Sequence, residues 1–423
     1  MIRAAALLLA LAAPAVAEDF TTLQGHGGPI MGLAVSPSGQ VASASFDNSV
    51  GLWDGRRPTW LEGHDAAVVT LTFGPDGALY SGGDDFAVLV WGEAPRELGR
   101  HQGKVTSLAV SPDGAWLASG SWDGSVRLWS LDGRADRTLA TPGAGVNAVA
   151  WGTEGRQLYV GTSGGRLLRY DTAKNQSPLP LLEHGFGINE LIVTEDWIAY
   201  GAVDGGTRIL DLATERLIKD FTLDRRPILA MDHDAATGQI AVGDGHGYIM
   251  ILDTVDWRIA RDFRATREGP VWALAFSNDG TMIHAGGLDD AIYAWPVALL
   301  NEFEPGISGE RTFLRDPETM SNGERQFMRK CSICHALEPG PSRMAGPTLH
   351  ALFGRPAGTV PGYPYSETLA TSDIVWTEES VNALFDEGPD HYIPGSKMPM
   401  QVIAGAEDRA DLVAYLRDAT TGE

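Results

Sequence analysis

The chain has 423 residues, 43% of them hydrophobic, with 51 glycines, 12 tryptophans and only two cysteines. This is a globular composition long enough for two domains of unequal size. A formal charge of −23, from 55 acidic against 32 basic residues, argues against nucleic acid or an anionic membrane surface as a partner. It suits basic protein partners, or simply a well-solvated acidic surface.

Residues 1–17 read as a secretory signal peptide. Arg3 precedes an apolar run from Ala4 to Ala13, and Pro14-Ala15-Val16-Ala17 supplies an A-x-A-like cleavage site before the acidic pair Glu18-Asp19. The run is too short to span a bilayer, and no later stretch nears the roughly 20 apolar residues that spanning requires. The expectation is a soluble protein exported to the periplasm, with no integral membrane segment.

From residue 18 to residue 298 the sequence repeats. Trp53, Trp91 and Trp129 recur at one constant interval, the length of a four-stranded propeller blade. The clearest copy starts at His101 and runs through Val105 to Val110, then a turn at Ser111-Pro112-Asp113-Gly114. A second strand from Trp116 to Ser121, a tight turn at Trp122-Asp123-Gly124-Ser125 and a third strand from Val126 to Trp129 follow. Short alternating strands broken by Pro-Asp-Gly and Asp-Gly form a meander of hairpins.

This pattern resembles the WD-repeat family, in seven copies between Phe20 and Val297. Gly25-His26 and Gly63-His64 match its Gly-His dipeptide, Arg100-His101 and Glu183-His184 are looser versions, and Trp53-Asp54 is the eponymous pair. Tyr170, Leu210 and Leu252 stand where later copies should have tryptophan, and Trp295 restores it. The tight-turn aspartate recurs as Asp47, Asp85, Asp123, Asp204 and Asp289, with Gly164 and His246 in its place in the fourth and sixth copies. The resemblance implies an all-β, seven-bladed propeller in which His26, His64, His101 and His184 lock strands together by hydrogen bonds. It also implies a rigid platform for protein partners. The last copy is one strand short, so residues 19–24 are expected to complete it and remove a sheet edge. His233, His246 and His284 stand outside the pattern. They read as ordinary surface or core histidines, the second in a turn and the other two near strand ends.

Residues 299–319 mix Gly, Pro and charges with no period and read as a linker. In the final segment, 320–423, Cys331-Ser332-Ile333-Cys334-His335 holds both cysteines. Two thiols one helical turn apart can each add to a haem vinyl group while the adjacent imidazole reaches the iron. A zinc site would need more Cys or His ligands at finger-like spacing, and none follows. A dithiol redox pair is the alternative, although no thioredoxin-like pattern surrounds it.

Gly323 and Phe327, at i and i+4, and Leu412 and Tyr415, at i and i+3, are pairs that would each share one helical face, and Tyr392-Ile393-Pro394-Gly395-Ser396-Lys397-Met398 is a methionine-bearing stretch. These features resemble class I cytochromes c of the mitochondrial and c2-like type, over essentially all of Ser321 to Ala419. The resemblance implies a small all-α domain with one covalently attached haem c, whose iron is held by His335 and Met398. Met344 and Met400 are the competing sulfurs. It further implies that Pro347 accepts a hydrogen bond from His335, and that Arg355, Tyr365 and Trp376 bind the propionates with help from Tyr363 and Ser396. Filled axial positions favour electron transfer over catalysis.

Two departures from that family stand out. Leu384-Phe385 replace a tyrosine that often touches the methionine sulfur, with an insertion near Glu387-Gly388. Asp386, Glu387, Asp390 and His391 occupy much of the usual lysine ring, leaving Lys397 in the methionine loop. The leading reading is an exported monohaem cytochrome that its propeller docks on a redox protein partner. Two others stand beside it: an oxidoreductase with a second cofactor in the propeller, and a haem-based redox sensor.

Overall fold

The computed structural model describes residues 20–174, 176–223, 227–266, 269–299, 319–340 and 343–420. The expected signal peptide and nearly all of the expected linker lie outside the described residues. Among these residues, 28 strands form seven four-stranded antiparallel sheets. Blade 1 is typical, with strands Ile30–Val35, Val41–Ser45, Ser49–Asp54 and Arg57–Glu62 from the inside outward. The inner strands touch in sequence from blade 1 around to blade 7 and back, which closes the ring.

Neighbouring blades pack through a small residue on each second strand. A Cβ at Gly82, Gly120 or Gly243 would lie 2.4, 2.4 or 2.7 Å from a methyl of Val105, Val146 or Val271 at the start of the next inner strand. Gly161, Gly201 and Gly286 meet Ile188, Ile228 and Ile30 in the same way. A β-branched side chain set into a glycine notch fixes the spacing between blades at interior density.

Blade 7 is completed by the start of the chain. Thr21–Gln24 pairs antiparallel with Ala291–Pro296, in the register Thr21 to Ala294 and Gln24 to Ala291. Leu23 is buried there with Ile30, Trp53 and Ile292, so one side chain ties the first and last blades together.

The histidines act within the blades. In blade 1, Trp53 Nε1 donates to Ser43 Oγ at 2.8 Å, Ser43 donates to His26 Nε2 at 2.7 Å, and His26 Nδ1 donates to Asp47 at 2.9 Å. Trp91, Ser81, His64 and Asp85 repeat the set, as do Trp129, Ser119 and His101 with Ser125. Burial brings the pKa of His101 down to about 4, which suits a neutral hydrogen-bonding ring. Blade 5 keeps only part of this arrangement. His184 meets Asp204 at 3.0 Å, Tyr200 and Leu210 stand where the serine and the tryptophan would be, and Arg208 bonds Asp204 and Asp220 beside them. Ser43→Ala should leave the buried Trp53 Nε1 and His26 Nε2 unpartnered and cost about 1–3 kcal/mol in urea unfolding followed by tryptophan fluorescence.

The second domain holds five helices among its described residues: α1 (Asn322–Lys330), α2 (Glu367–Ala370), α3 (Glu378–Glu387), α4 (Pro389–Tyr392) and α5 (Ala406–Thr420). Ser321 caps α1, and Thr377 and Ser380 form a reciprocal capping box on α3. Phe327, Leu352, Leu384, Phe385, Leu412 and Leu416 make its core. No helix among the described residues is long and apolar enough to cross a membrane.

Candidate cofactor site

The C-terminus of α1 builds the first half of the site. Cys331 N–H donates to Phe327 O at 2.8 Å, and the chain turns back so that Cys334 and His335 both donate to Cys331 O, at 3.0 and 2.9 Å. One turn therefore presents both thiols and the imidazole. Burial pushes the Cys331 thiol up to about 12 and Cys334 up to about 11, the reverse of the lowered values that make a dithiol pair reactive.

His335 is oriented from the following loop. Its Nδ1–H donates to Pro347 O at 2.7 Å, which leaves Nε2 as the nitrogen free to bind a metal. Burial lowers its pKa, favouring the neutral ring that ligation requires. Gly346 packs against the ring so closely that a Cβ would sit 2.3 Å from Cε1. Its own N–H donates to Cys334 O at 2.7 Å, so loop and turn brace each other.

The remaining expected residues gather around this loop. Arg355 donates to Thr348 O and His350 O at 2.9 and 2.6 Å, so two of its nitrogens already hold the main chain after Pro347. The resemblance put this guanidinium on the propionates; in the structure it also shapes the histidine loop. Trp376 N–H donates to Arg355 O at 3.0 Å, which brings those two together. Tyr365 Oη accepts from Val360 N–H at 3.3 Å, and its ring lies 4.8 Å from that of Tyr363. Tyr363 in turn donates to Ala345 O. The pattern of main-chain acceptors around Arg355 and Tyr363 carries no signal in the sequence.

Three loop methionines compete for the sulfur role. Met398, half-buried, packs like Trp376 on the cluster that contains Cys331 and Leu352, and its N–H donates to Ser396 Oγ at 3.1 Å. Met400 is 45% exposed, with its sulfur against Gly388, where a Cβ would lie 2.5 Å from Sδ. Met344 does not join the cluster. Gly388, at φ 88°, ends α3 in the left-handed region and makes room for Met400. The donor set of two thiols, an aimed imidazole and a thioether in an apolar setting fits a covalently held haem. No three His, Cys, Asp or Glu side chains among the described residues come together as a bare-metal site would need.

The propeller's central channel holds a cavity of about 690 Å³, lined among others by Asn147, Glu190, Asp232 and His233. Burial raises Glu190 to about 8 and Asp232 to about 6, and Asp232 also accepts from Phe276 N–H at 2.7 Å. His233 is its single lining histidine. His284 lies two residues from the start of the strand Met282–Gly287, opposite Ala275 and Ala294.

Comparison with known proteins agrees with both halves. Residues 320–420 match the cytochrome c family model, and residues 18–54, 56–92, 92–130 and 258–296 match the WD domain, G-beta repeat model. The unmatched blades are those in which Tyr170, Leu210 and Leu252 replace tryptophan. Cytochrome c from Sesamum indicum is 42% identical over 106 residues, which is 25% of this chain and 93% of that protein. Cytochrome c from Nigella damascena is 40% identical over 102 residues, 24% of this chain and 89% of its own length. That from Euglena viridis is 40% identical over 95 residues, 22% of this chain and 91% of its own length. Such homology implies a covalently bound haem c with its iron, and a role in electron transfer. The chain belongs to the cytochrome c family through residues 320–420, carried behind a seven-bladed WD-repeat propeller.

Proposed function

We propose that the chain is an exported, periplasmic electron carrier in which His335 and Met398 would hold the haem iron and Cys331 and Cys334 would provide the thioether attachments. When bound, haem c supplies a one-electron iron couple, set to a comparatively high potential by imidazole and thioether ligands. The observation that carries the reading is the 2.7 Å bond from His335 Nδ1 to Pro347 O, in the same turn as both thiols. Pro347 sets the ring, Gly346 leaves it space, and Arg355, Tyr365 and Trp376 supply donors for propionates that would otherwise be buried without partners. The propeller holds the domain against a redox protein partner, and the acidic surface selects a basic one.

Met398→Ala tests the ligand assignment. It should abolish the weak red absorption band of the oxidised protein and lower the reduction potential while leaving the haem covalently attached. Retention of the band would transfer the sulfur role to Met344 or Met400. The double variant Cys331→Ser/Cys334→Ser should yield protein from which acid acetone extracts any haem, and a pyridine haemochrome assay of the native protein should give one haem per chain. Export is read by N-terminal sequencing of the mature protein, which should begin at Glu18.

A further inference from the structure

The two loops expected to carry the axial ligands each hold one strong cation. Arg343 is the only Lys or Arg in residues 336–354, and Lys397 the only one in residues 388–402. Both are already engaged within the chain. The Arg343 guanidinium lies 4.2 Å from the centre of the Trp60 ring and 3.1 Å from Glu62 Oε1, on the outer strand of blade 1. Lys397 Nζ meets Asp65 at 2.6 Å, in the loop leading into blade 2.

Other features make this a built contact. Trp60 stands edge-on to His26 at 4.6 Å and to Trp53 at 5.8 Å, so the hydrogen-bonded lock of blade 1 holds the ring that receives Arg343. Gly27 leaves room for the approaching main chain, since a Cβ there would lie 2.3 Å from the carbonyl carbon of Arg343. Gly27 and Asp65 occupy equivalent loops of adjacent blades, each just before an inner strand, and therefore lie on one face of the propeller. Arg343 is three residues before the glycine that packs on His335, and Lys397 is next to Met398.

We propose that the propeller is the haem domain's own docking partner, an internal cap that grips both axial-ligand loops and must open for electrons to pass through that face. This rests on the haem reading above. The cap takes the cations that an acidic external partner would otherwise use. Its strength suits reversible closure: the Lys397–Asp65 pair is surface-exposed, at 32% and 58%, and salt weakens it, while the stacked Arg343 resists salt better. A basic partner that competes for Glu62 and Asp65 would release the haem domain as it binds.

The test uses the full-length holoprotein at low and high ionic strength. Carbodiimide treatment followed by peptide mass mapping should find an amide joining Lys397 to Asp65 at low salt, and this readout needs no haem. Reduction of the oxidised protein by a neutral hydroquinone should accelerate roughly ten-fold from low to high salt. The Glu62→Lys/Asp65→Lys variant, changed at two exposed positions, should react at the fast rate throughout. No coupling, or coupling with equal rates in both proteins at every salt concentration, would overturn the cap. The visible spectrum of the same samples separates this result from failure of the haem assignment, which would show as missing haem bands.

Discussion

Gly323→Val should cost the haem domain about 3 kcal/mol or more, measured as the unfolding midpoint in guanidinium followed by the haem absorption band. A Cβ at this position would lie 2.1 Å from the carbonyl oxygen of Asp411 and 2.7 Å from the Cβ of Tyr415. Neither neighbour can rotate away, because one is main chain of α5 and the other is fixed directly to it. The helices would have to separate, which also opens the Phe327 and Tyr415 rings now 5.6 Å apart. A domain of about 100 residues is stable by only about 5–15 kcal/mol, so the loss is a large fraction of the whole. An unchanged midpoint would mean that α1 and α5 do not cross at Gly323.

Leu23→Asp should open the ring. Leu23 is 5% exposed, and its neighbours Ile30, Trp53 and Ile292 offer no partner for a carboxylate. Loss of the apolar contact together with burial of an unpaired charge should destabilise the closing strand by about 3–5 kcal/mol. The Ala291–Pro296 strand would then become an exposed edge able to pair with other molecules. Size-exclusion chromatography should show aggregates, and the tryptophan fluorescence melt should shift down. A monodisperse variant with an unshifted melt would show that the ring does not depend on Thr21–Gln24.

The legible parts of this protein were those written in short-range pattern. The Gly-His dipeptide, the tight-turn aspartate and the recurring tryptophan lie within one blade, so their spacing announced the locks of blades 1 to 3 and the ring of seven. The missing last strand followed from counting. Cys331 to His335 and the Met398 loop were equally local. Less legible were partners brought together by folding. Arg208 takes over the lock beside His184, and nothing near His184 in the sequence marks that substitution. The guanidinium of Arg355 turns to the carbonyls of Thr348 and His350, which composition cannot reveal because every residue carries such an acceptor.

Sequence by itself determined the architecture and the chemistry: a propeller, then a small helical domain with two thiols, an imidazole and a methionine loop for one haem. Each of these is encoded by residues close along the chain, whose spacing follows directly from strand and helix geometry. Only the tertiary structure decided which face of the propeller meets that domain. The ion pairs that set it join residues 281 and 332 positions apart, and single charges among many leave no periodic trace. A stacked arginine needs a ring held at the right angle, and the angle of Trp60 comes from the folded blade around His26 and Trp53.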